Sequence, residues 1–176
     1  MHIIIKNKFL IYNNYKVKCA LGKRGIGNKK EEGDFITPKG VYKIKYILYR
    51  KDRIKKIRTK FRKINIKKNM GWCNDPRSSK YNKLITIPIN SSYEKLYKKN
   101  NTYDIILVLN YNMNPIKKNK GSAIFIHIAK KNYNKTAGCI AIKKIDLIKI
   151  LGKIKINTKV KILSLIHISE PTRRTP

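Results

Sequence analysis

The chain has 176 residues, of which 43 are Lys or Arg and 9 are Asp or Glu, giving a formal charge of +34. Self-repulsion on that scale keeps a chain unfolded when apolar content is low. Here Ile, Leu, Val and Phe supply 50 residues, well above the roughly one fifth below which disorder is the better expectation, so composition excludes a disordered chain and fits one domain with a sizeable core.

No apolar run is long enough to span a bilayer. Ile3-Ile4-Ile5 is interrupted at once by Lys6, Asn7 and Lys8, so Met1 to Leu10 forms no secretory h-region. The residues in excess are Ile, Lys, Asn and Tyr, a set that an AT-rich coding sequence favours without any demand from function, and this discounts the charge as a functional signal. A cationic surface still concentrates polyanions, whether nucleic acid, anionic lipid or acidic wall polymer.

Ile3 to Leu21 reads as two or three short strands with Asn13-Asn14 as a turn. Cys19 falls in an alternating stretch and reads as a core residue. Gly22 to Gly40, with five glycines and Thr37-Pro38, reads as a long structured loop. Gly22-Lys23-Arg24-Gly25 lacks the remainder of a phosphate-binding loop. Thr37-Pro38-Lys39-Gly40 delivers the chain into a strand from Val41 to Tyr49.

Arg50 to Lys68 carries eleven Lys or Arg, while Ile54, Ile57, Phe61 and Ile64 recur at intervals of three and four. That periodicity predicts a basic amphipathic helix suited to a membrane surface or nucleic acid, or simply a solvated face. Met70 to Asn82 is rich in turn formers around the single Trp72, and Asp75, Arg77, Tyr81 and Asn82 are the polar set expected to line a substrate cleft. Lys83 to Pro88 predicts a strand. Ser91-Ser92-Tyr93-Glu94 predicts a capped helix through about Lys98. Tyr103 to Asn110 predicts a central strand, with Asp104 at its edge as a candidate partner for a histidine ring.

The richest chemistry lies between 121 and 142. Gly121-Ser122-Ala123-Ile124-Phe125-Ile126-His127-Ile128 reads as a buried strand, Ala129 to Lys135 as a loop, and Thr136-Ala137-Gly138-Cys139-Ile140-Ala141-Ile142 as a second strand entered through a glycine. Adjacent strands would bring His127 and Cys139, 12 positions apart, face to face. A cysteine attacks carbonyls as thiolate, and an imidazole in reach takes its proton. Gly138 lets a substrate carbonyl approach the main chain, where the N–H of Cys139 and its neighbours can hold an oxyanion. Thr136 would orient the loop or bond the substrate. By themselves these residues imply acyl transfer by a Cys-His pair.

These residues resemble the catalytic segment of the L,D-transpeptidase (YkuD-type) family, a strand-borne histidine followed by Ser/Thr-x-Gly-Cys. Glu32 to Tyr42 is similar to that family's Gly-Asp-x-x-Thr-Pro-x-Gly segment, and Gly71 to Pro76 with Tyr81-Asn82 is similar to a segment of one subgroup; together the matches cover most of residues 15 to 152. The resemblance implies Cys139 as nucleophile, His127 as base, the Gly138 and Cys139 amides as oxyanion donors, and an extended excursion rather than a helix over 50–68. Ser122, Thr136, Trp72, Asp75, Arg77 and Tyr81 are the expected substrate contacts. It further implies peptidoglycan stem peptides as substrate, anionic wall polymers as possible partners, no metal or cofactor, and a place in the cell envelope. Many members carry His at the place of Ala137 and Arg at that of Ala141, so any second polar shell here has another source. Hydrolysis in place of crosslinking, wall-peptide binding without turnover, and polyanion binding are the alternatives.

After the second strand, Lys143 to Leu151 predicts a short helix burying Ile145, Ile148 and Leu151 and stopped by Gly152, and Lys159 to Leu163 a last strand. From Ser164 the lysines and asparagines cease. The expectation is therefore a domain over 1–163 and a tail over 164–176 that is non-native or disordered, which sets aside His167 as a catalytic candidate. The three cysteines, Cys19, Cys73 and Cys139, include no close pair of the kind metal sites use and leave at least one thiol unpaired. The fold class expected is mainly β, a single-domain sandwich or open barrel of about nine short strands with one or two short helices.

Overall fold

A computed structural model describes residues 1–165; most of the tail expected from 164 onward, with His167, lies outside the described residues. The elements in chain order are β1 (Ile3–Lys6), β2 (Phe9–Tyr12), β3 (Tyr15–Lys18), β4 (Ile26–Gly27), β5 (Thr37–Pro38), β6 (Gly40–Tyr49), β7 (Lys63–Asn65), β8 (Met70–Cys73), β9 (Leu84–Thr86), β10 (Tyr93–Lys95), β11 (Ile105–Leu109), β12 (Phe125–Ile128), β13 (Ile140–Ile142), α1 (Lys144–Lys153) and β14 (Lys159–Ile162). The mainly β class holds, with more and shorter strands than the sequence predicts and one helix among the described residues.

The main sheet runs β13-β12-β11-β6-β14-β1-β2-β3, with β7 added beside β6. A single antiparallel bridge between Ala20, just past β3, and Ala141 in β13 brings the two ends together, so the sheet is nearly a closed barrel and most of its edge is removed. The ten-residue β6 makes this possible, pairing with β14 over its first half and with β11 over its second. The expected turn at Asn13 joins β2 to β3 with φ 54°, and Asn7 and Lys8, both at positive φ, form the two-residue turn between β1 and β2.

Period-2 geometry assigns β11 and β12 to two cores. Ile105, Leu107 and Leu109 with Ile126 and Ile128 face the barrel interior. Ile106, Val108 and Phe125 face a second core with Trp72, Leu96 and Tyr103. A small sheet of order β10-β8-β9 covers that outer face. Trp72 packs edge-on against Phe125 with centroids 5.1 Å apart. β11 is buried on both faces, which is why it reads as an unbroken apolar run.

Three predicted helices fare differently. The basic stretch from 50 to 68 is irregular apart from β7, as the family resemblance implies; Ile54, Ile57 and Phe61 are buried in the main core. Helical packing would set many like charges three and four residues apart, whereas the extended path spreads them and lets the three apolar anchors reach inward. Arg50 and Arg53 tie this path to the carbonyls of Lys98, Lys99 and Asn100. The Ser91 to Lys98 stretch forms β10 instead of a helix, because the edge of β8 offers ladder partners, Tyr93 to Cys73 and Glu94 to Trp72. α1 does form, but Gly152 lies inside it and the buried face is Leu147, Ile150 and Leu151, with Ile145 exposed.

Candidate active site

β12 and β13 are adjacent and parallel, with Ile126 opposite Ile140 and His127 opposite Ala141. Carried back one residue, that register sets Cys139 opposite Phe125, two positions from His127 and so on its face. Both side chains line one cleft of about 330 Å³, together with Ser122, Thr136 and Gly138. This is the juxtaposition the loop between the two strands was expected to create.

His127 is buried, and its Nδ1 lies 3.0 Å from the carbonyl oxygen of Ile128. A carbonyl only accepts, so the proton sits on Nδ1 and Nε2 is left as the basic nitrogen. The expected partner Asp104 does not orient the ring. It is buried against Arg53 at 2.9 Å, with Lys144 at 3.9 Å, because the 50–68 path brings a guanidinium to it. Burial lowers the His127 pKa to about 4, partly offset by the Ile128 carbonyl and Glu94. Tyr103 packs edge-on to the ring with centroids 5.2 Å apart.

The Cys139 thiol donates to the Ala123 carbonyl at 3.1 Å and receives the Phe125 N–H at 3.4 Å. Burial, reinforced by the negative charge of Glu94, raises its pKa to about 12, against the opposing pull of the Phe125 N–H. The resting pair is thus a neutral thiol and a neutral imidazole, and reactivity depends on proton transfer as attack begins rather than on a standing thiolate.

Gly138 has φ 146°, and a Cβ there would stand 2.9 Å from the carbonyl oxygen of Ile36. Only glycine meets both demands. The close approach joins the Thr37-Pro38 segment to the cysteine turn. Gly22 completes the contact: its N–H donates to Thr37 Oγ1 at 2.8 Å, and it bridges Thr136. Thr136 acts inside the turn, its hydroxyl donating to the Cys139 carbonyl at 2.6 Å and accepting the Gly138 N–H at 3.1 Å. The Gly138 amide is therefore committed. Among the described residues the Cys139 N–H makes no hydrogen bond, which leaves it as the amide able to meet an oxyanion.

The structure separates the other predicted contacts from the cleft. Trp72 is 1 % exposed and its Nε1 donates to Asn82 Oδ1 at 3.0 Å; a ring that packs on Phe125 is core. Asn82 spends its amide on the Tyr111 and Asn112 carbonyls and its oxygen on Trp72 and the Ala123 N–H. Since Ala123 is also the residue whose carbonyl holds the Cys139 thiol, Asn82 supports that thiol from behind. Tyr81 is buried, donates to Glu32 and accepts the Gly121 N–H. Asp75 is buried and turned onto Arg77, whose side chain is 91 % exposed, so this pair closes a surface turn. Ser122, like Thr136, stays at the cleft, its buried Oγ beside the Tyr81 hydroxyl. Cys19 and Cys73 are both buried.

Residues that sequence reasoning did not connect to the site are Glu32, Glu94, Lys98 and Tyr103, all on the cleft. Glu94 accepts from Lys98 at 2.8 Å and from Tyr103 at 2.7 Å. Its capping-box context is the local signal that concealed it. Ala137 and Ala141 line the same cleft and offer nothing polar, Ala141 also closing the barrel seam.

A thiol and an imidazole of defined tautomer stand on neighbouring strands with a glycine turn and a free amide beside them, the set of groups that nucleophilic acyl transfer requires. The profile of the L,D-transpeptidase catalytic domain (YkuD) matches residues 2–162, and the chain belongs to that family of cysteine-dependent transpeptidases acting on peptidoglycan. No curated protein matches it closely. No helix among the described residues is long and apolar enough to cross a membrane.

Proposed function

We propose that this chain is a peptidoglycan L,D-transpeptidase working in the cell envelope, with Cys139 as nucleophile and His127 as general base and acid. The observation that carries this reading is the shared cleft in which His127 Nδ1 is held by the Ile128 carbonyl and Cys139 lies on the same face two register positions away. His127 Nε2 takes the thiol proton as Sγ adds to the carbonyl between the third residue and the D-Ala of a stem tetrapeptide. The Cys139 amide receives the oxyanion. The C–N bond breaks, D-Ala leaves with the proton from His127, and a thioester remains. A side-chain amine of a second stem then attacks, giving its proton to His127, and the collapse returns that proton to Sγ and releases the crosslinked product. Water in place of the amine makes the outcome hydrolytic. Cations at the cleft, Lys130 and Lys135, suit the carboxylates of such a substrate and of anionic wall polymers.

Intact-mass spectrometry after incubation with a carbapenem tests the reading, because an activated cysteine of this family opens that ring. One adduct, mapping to Cys139 and absent from Cys139→Ser, is expected, with Cys19 and Cys73 as internal controls. A protein that forms no adduct and turns over no tetrapeptide would instead be a binding protein.

A further inference from the structure

Strand register defines an outer face of the barrel on β6, β14, β1, β2 and β3, because residues directly paired across strands share one side of the sheet. Val41 pairs with Lys161, Lys161 with Ile4, Ile4 with Ile11, and Ile11 with Lys16. Their strand neighbours Ile3, Ile5, Leu10, Val160 and Ile162 fill the interior, so this row points outward. Two positions along each strand the same face takes Lys6, Phe9, Lys18, Lys43 and Lys159. Six lysines therefore share it, and none of them has an ion-pair partner among the described residues. No Asp or Glu occurs in these five strands, so they carry nothing to neutralise that charge.

Excess lysine alone carries no message in a chain of charge +34. What sets this face apart is the apolar surface among its lysines. Phe9 is 36 % exposed, Val41 56 % and Leu163 41 %. Val41 and Leu163 line one groove with Lys6 and Lys39. Phe9 stands opposite Lys6, and Lys16 Nζ lies 4.4 Å over its ring. The basic stretch from 50 to 68 differs in this respect, since its Ile54, Ile57 and Phe61 are buried. A polyanion in water needs only charge and would take either surface. Lysines around exposed apolar side chains match an anionic bilayer, whose headgroups meet the ammonium groups while the acyl boundary receives the apolar ones.

The topology also places this face. β1 is four strands from β12 through β11, β6 and β14, and four strands from it the other way, through β13, the Ala20–Ala141 closure, β3 and β2. The face centred on β1 is thus across the barrel from the cleft that holds His127. We propose that the outer face of β6, β14, β1, β2 and β3 docks on an anionic phospholipid bilayer and so holds the cleft pointing away from the lipid. The inference uses none of the groups in the cleft and stands apart from the acyl-transfer reading.

Co-sedimentation of the full-length protein with vesicles of phosphatidylglycerol and phosphatidylcholine in equal parts, and with vesicles of phosphatidylcholine alone, tests the docking surface. Binding is expected to the first only, weakening as salt rises. Lys6→Gln/Lys16→Gln/Lys161→Gln should lower vesicle affinity about a hundredfold, the loss expected for three lysines at an anionic surface. The charge-matched Lys130→Gln/Lys131→Gln/Lys135→Gln, on the loop beside the cleft, should lower it less than about threefold, since those charges lie beyond the screening length. Phe9→Ser/Val41→Ser should cost about tenfold at unchanged net charge, with affinity for soluble polyphosphate unaltered. Melting temperatures report that each variant is folded, and single lysine variants, at about fivefold each, carry the same comparison should a multiple variant unfold. Absence of binding, equal binding to both vesicle types, or equal losses in the two lysine variants would overturn the proposal. Full vesicle affinity in the serine variant would overturn it too, and with tight polyphosphate binding would make the face a polyanion site.

Discussion

The two walls of the cleft are built in opposite ways. One is made by β12, the turn at Thr136 to Cys139 and β13, eighteen consecutive residues from Phe125 to Ile142 in which the two strands pair with each other and the turn is closed by its own threonine. The other is assembled from Glu32, Glu94 and Tyr103, brought together by Tyr81, Asn82 and the small β10-β8-β9 sheet. The local wall carries the Cys139 thiol and the His127 imidazole, while the assembled wall sets charge and shape. Substitutions should divide along that line, the first wall losing mainly chemistry and the second losing stability or selectivity.

The sharpest contrast is at Cys139 and His127. Cys139→Ser should abolish the carbapenem adduct. His127→Gln should slow acylation by about 10²–10⁴-fold, the usual range for a general base, with the melting temperature little changed; a rate near wild type would mean that another group accepts the proton. On the assembled wall, Trp72→Ala should cost about 3–5 kcal/mol in urea unfolding, as expected for a large aromatic in a core. A variant of wild-type stability that had lost only peptide turnover would return Trp72 to the substrate and break the division between the walls.

The pH dependence follows from His127. Its folded pKa is about 4 against 6.5 in the unfolded chain, so between those values the unfolded state binds more protons and stability falls as pH falls. That contribution is fully present above 6.5 and lost toward 4, and a shift of this size corresponds to about 3 kcal/mol as an order of magnitude. His127→Gln should remove that part of the slope in denaturant titrations from pH 7 to 4. Acylation by the wild type should fall only as pH drops toward 4, where the imidazole becomes protonated. An acid limb near pH 6.5 would indicate an imidazole less buried than the fold provides.

The smallest effect is expected at Thr136. Thr136→Val removes the donor to the Cys139 carbonyl and the acceptor of the Gly138 N–H, at about 1–2 kcal/mol by ordinary hydrogen-bond values. A roughly tenfold loss of acylation with unchanged peptide affinity would place its action within the turn.

Much of this follows from short-range pattern. The alternation of Ile126 and Ile128 against Phe125 and His127, the apolar run of β11, and the glycine before Cys139 were readable because strand period and φ requirements are properties of neighbouring residues. The failures have one cause. Ile54, Ile57 and Phe61 are spaced as on a helix, yet they are anchors of an irregular path, and in α1 the same kind of spacing named Leu151 correctly but put Ile145 on the buried face in place of Leu147 and Ile150. Ser91 to Glu94 satisfies a capping rule but answers to the open edge of β8. Trp72, Asp75 and Tyr81 have the composition of a binding loop, and nothing local tells a buried indole that meets Asn82 from one that meets a ligand.

The sequence by itself determined the strand-rich class, the core able to hold a chain of charge +34 together, and the thiol, imidazole and glycine of the site, since each depends on residue type and near spacing. Only the tertiary structure decided which nitrogen of His127 is free, that Asp104 belongs to Arg53, that the Gly138 amide is spent while that of Cys139 is open, and that Glu32 reaches the cleft. Those outcomes depend on which distant donor arrives within about 3 Å of which acceptor, a distance that barrel closure sets and local pattern does not encode.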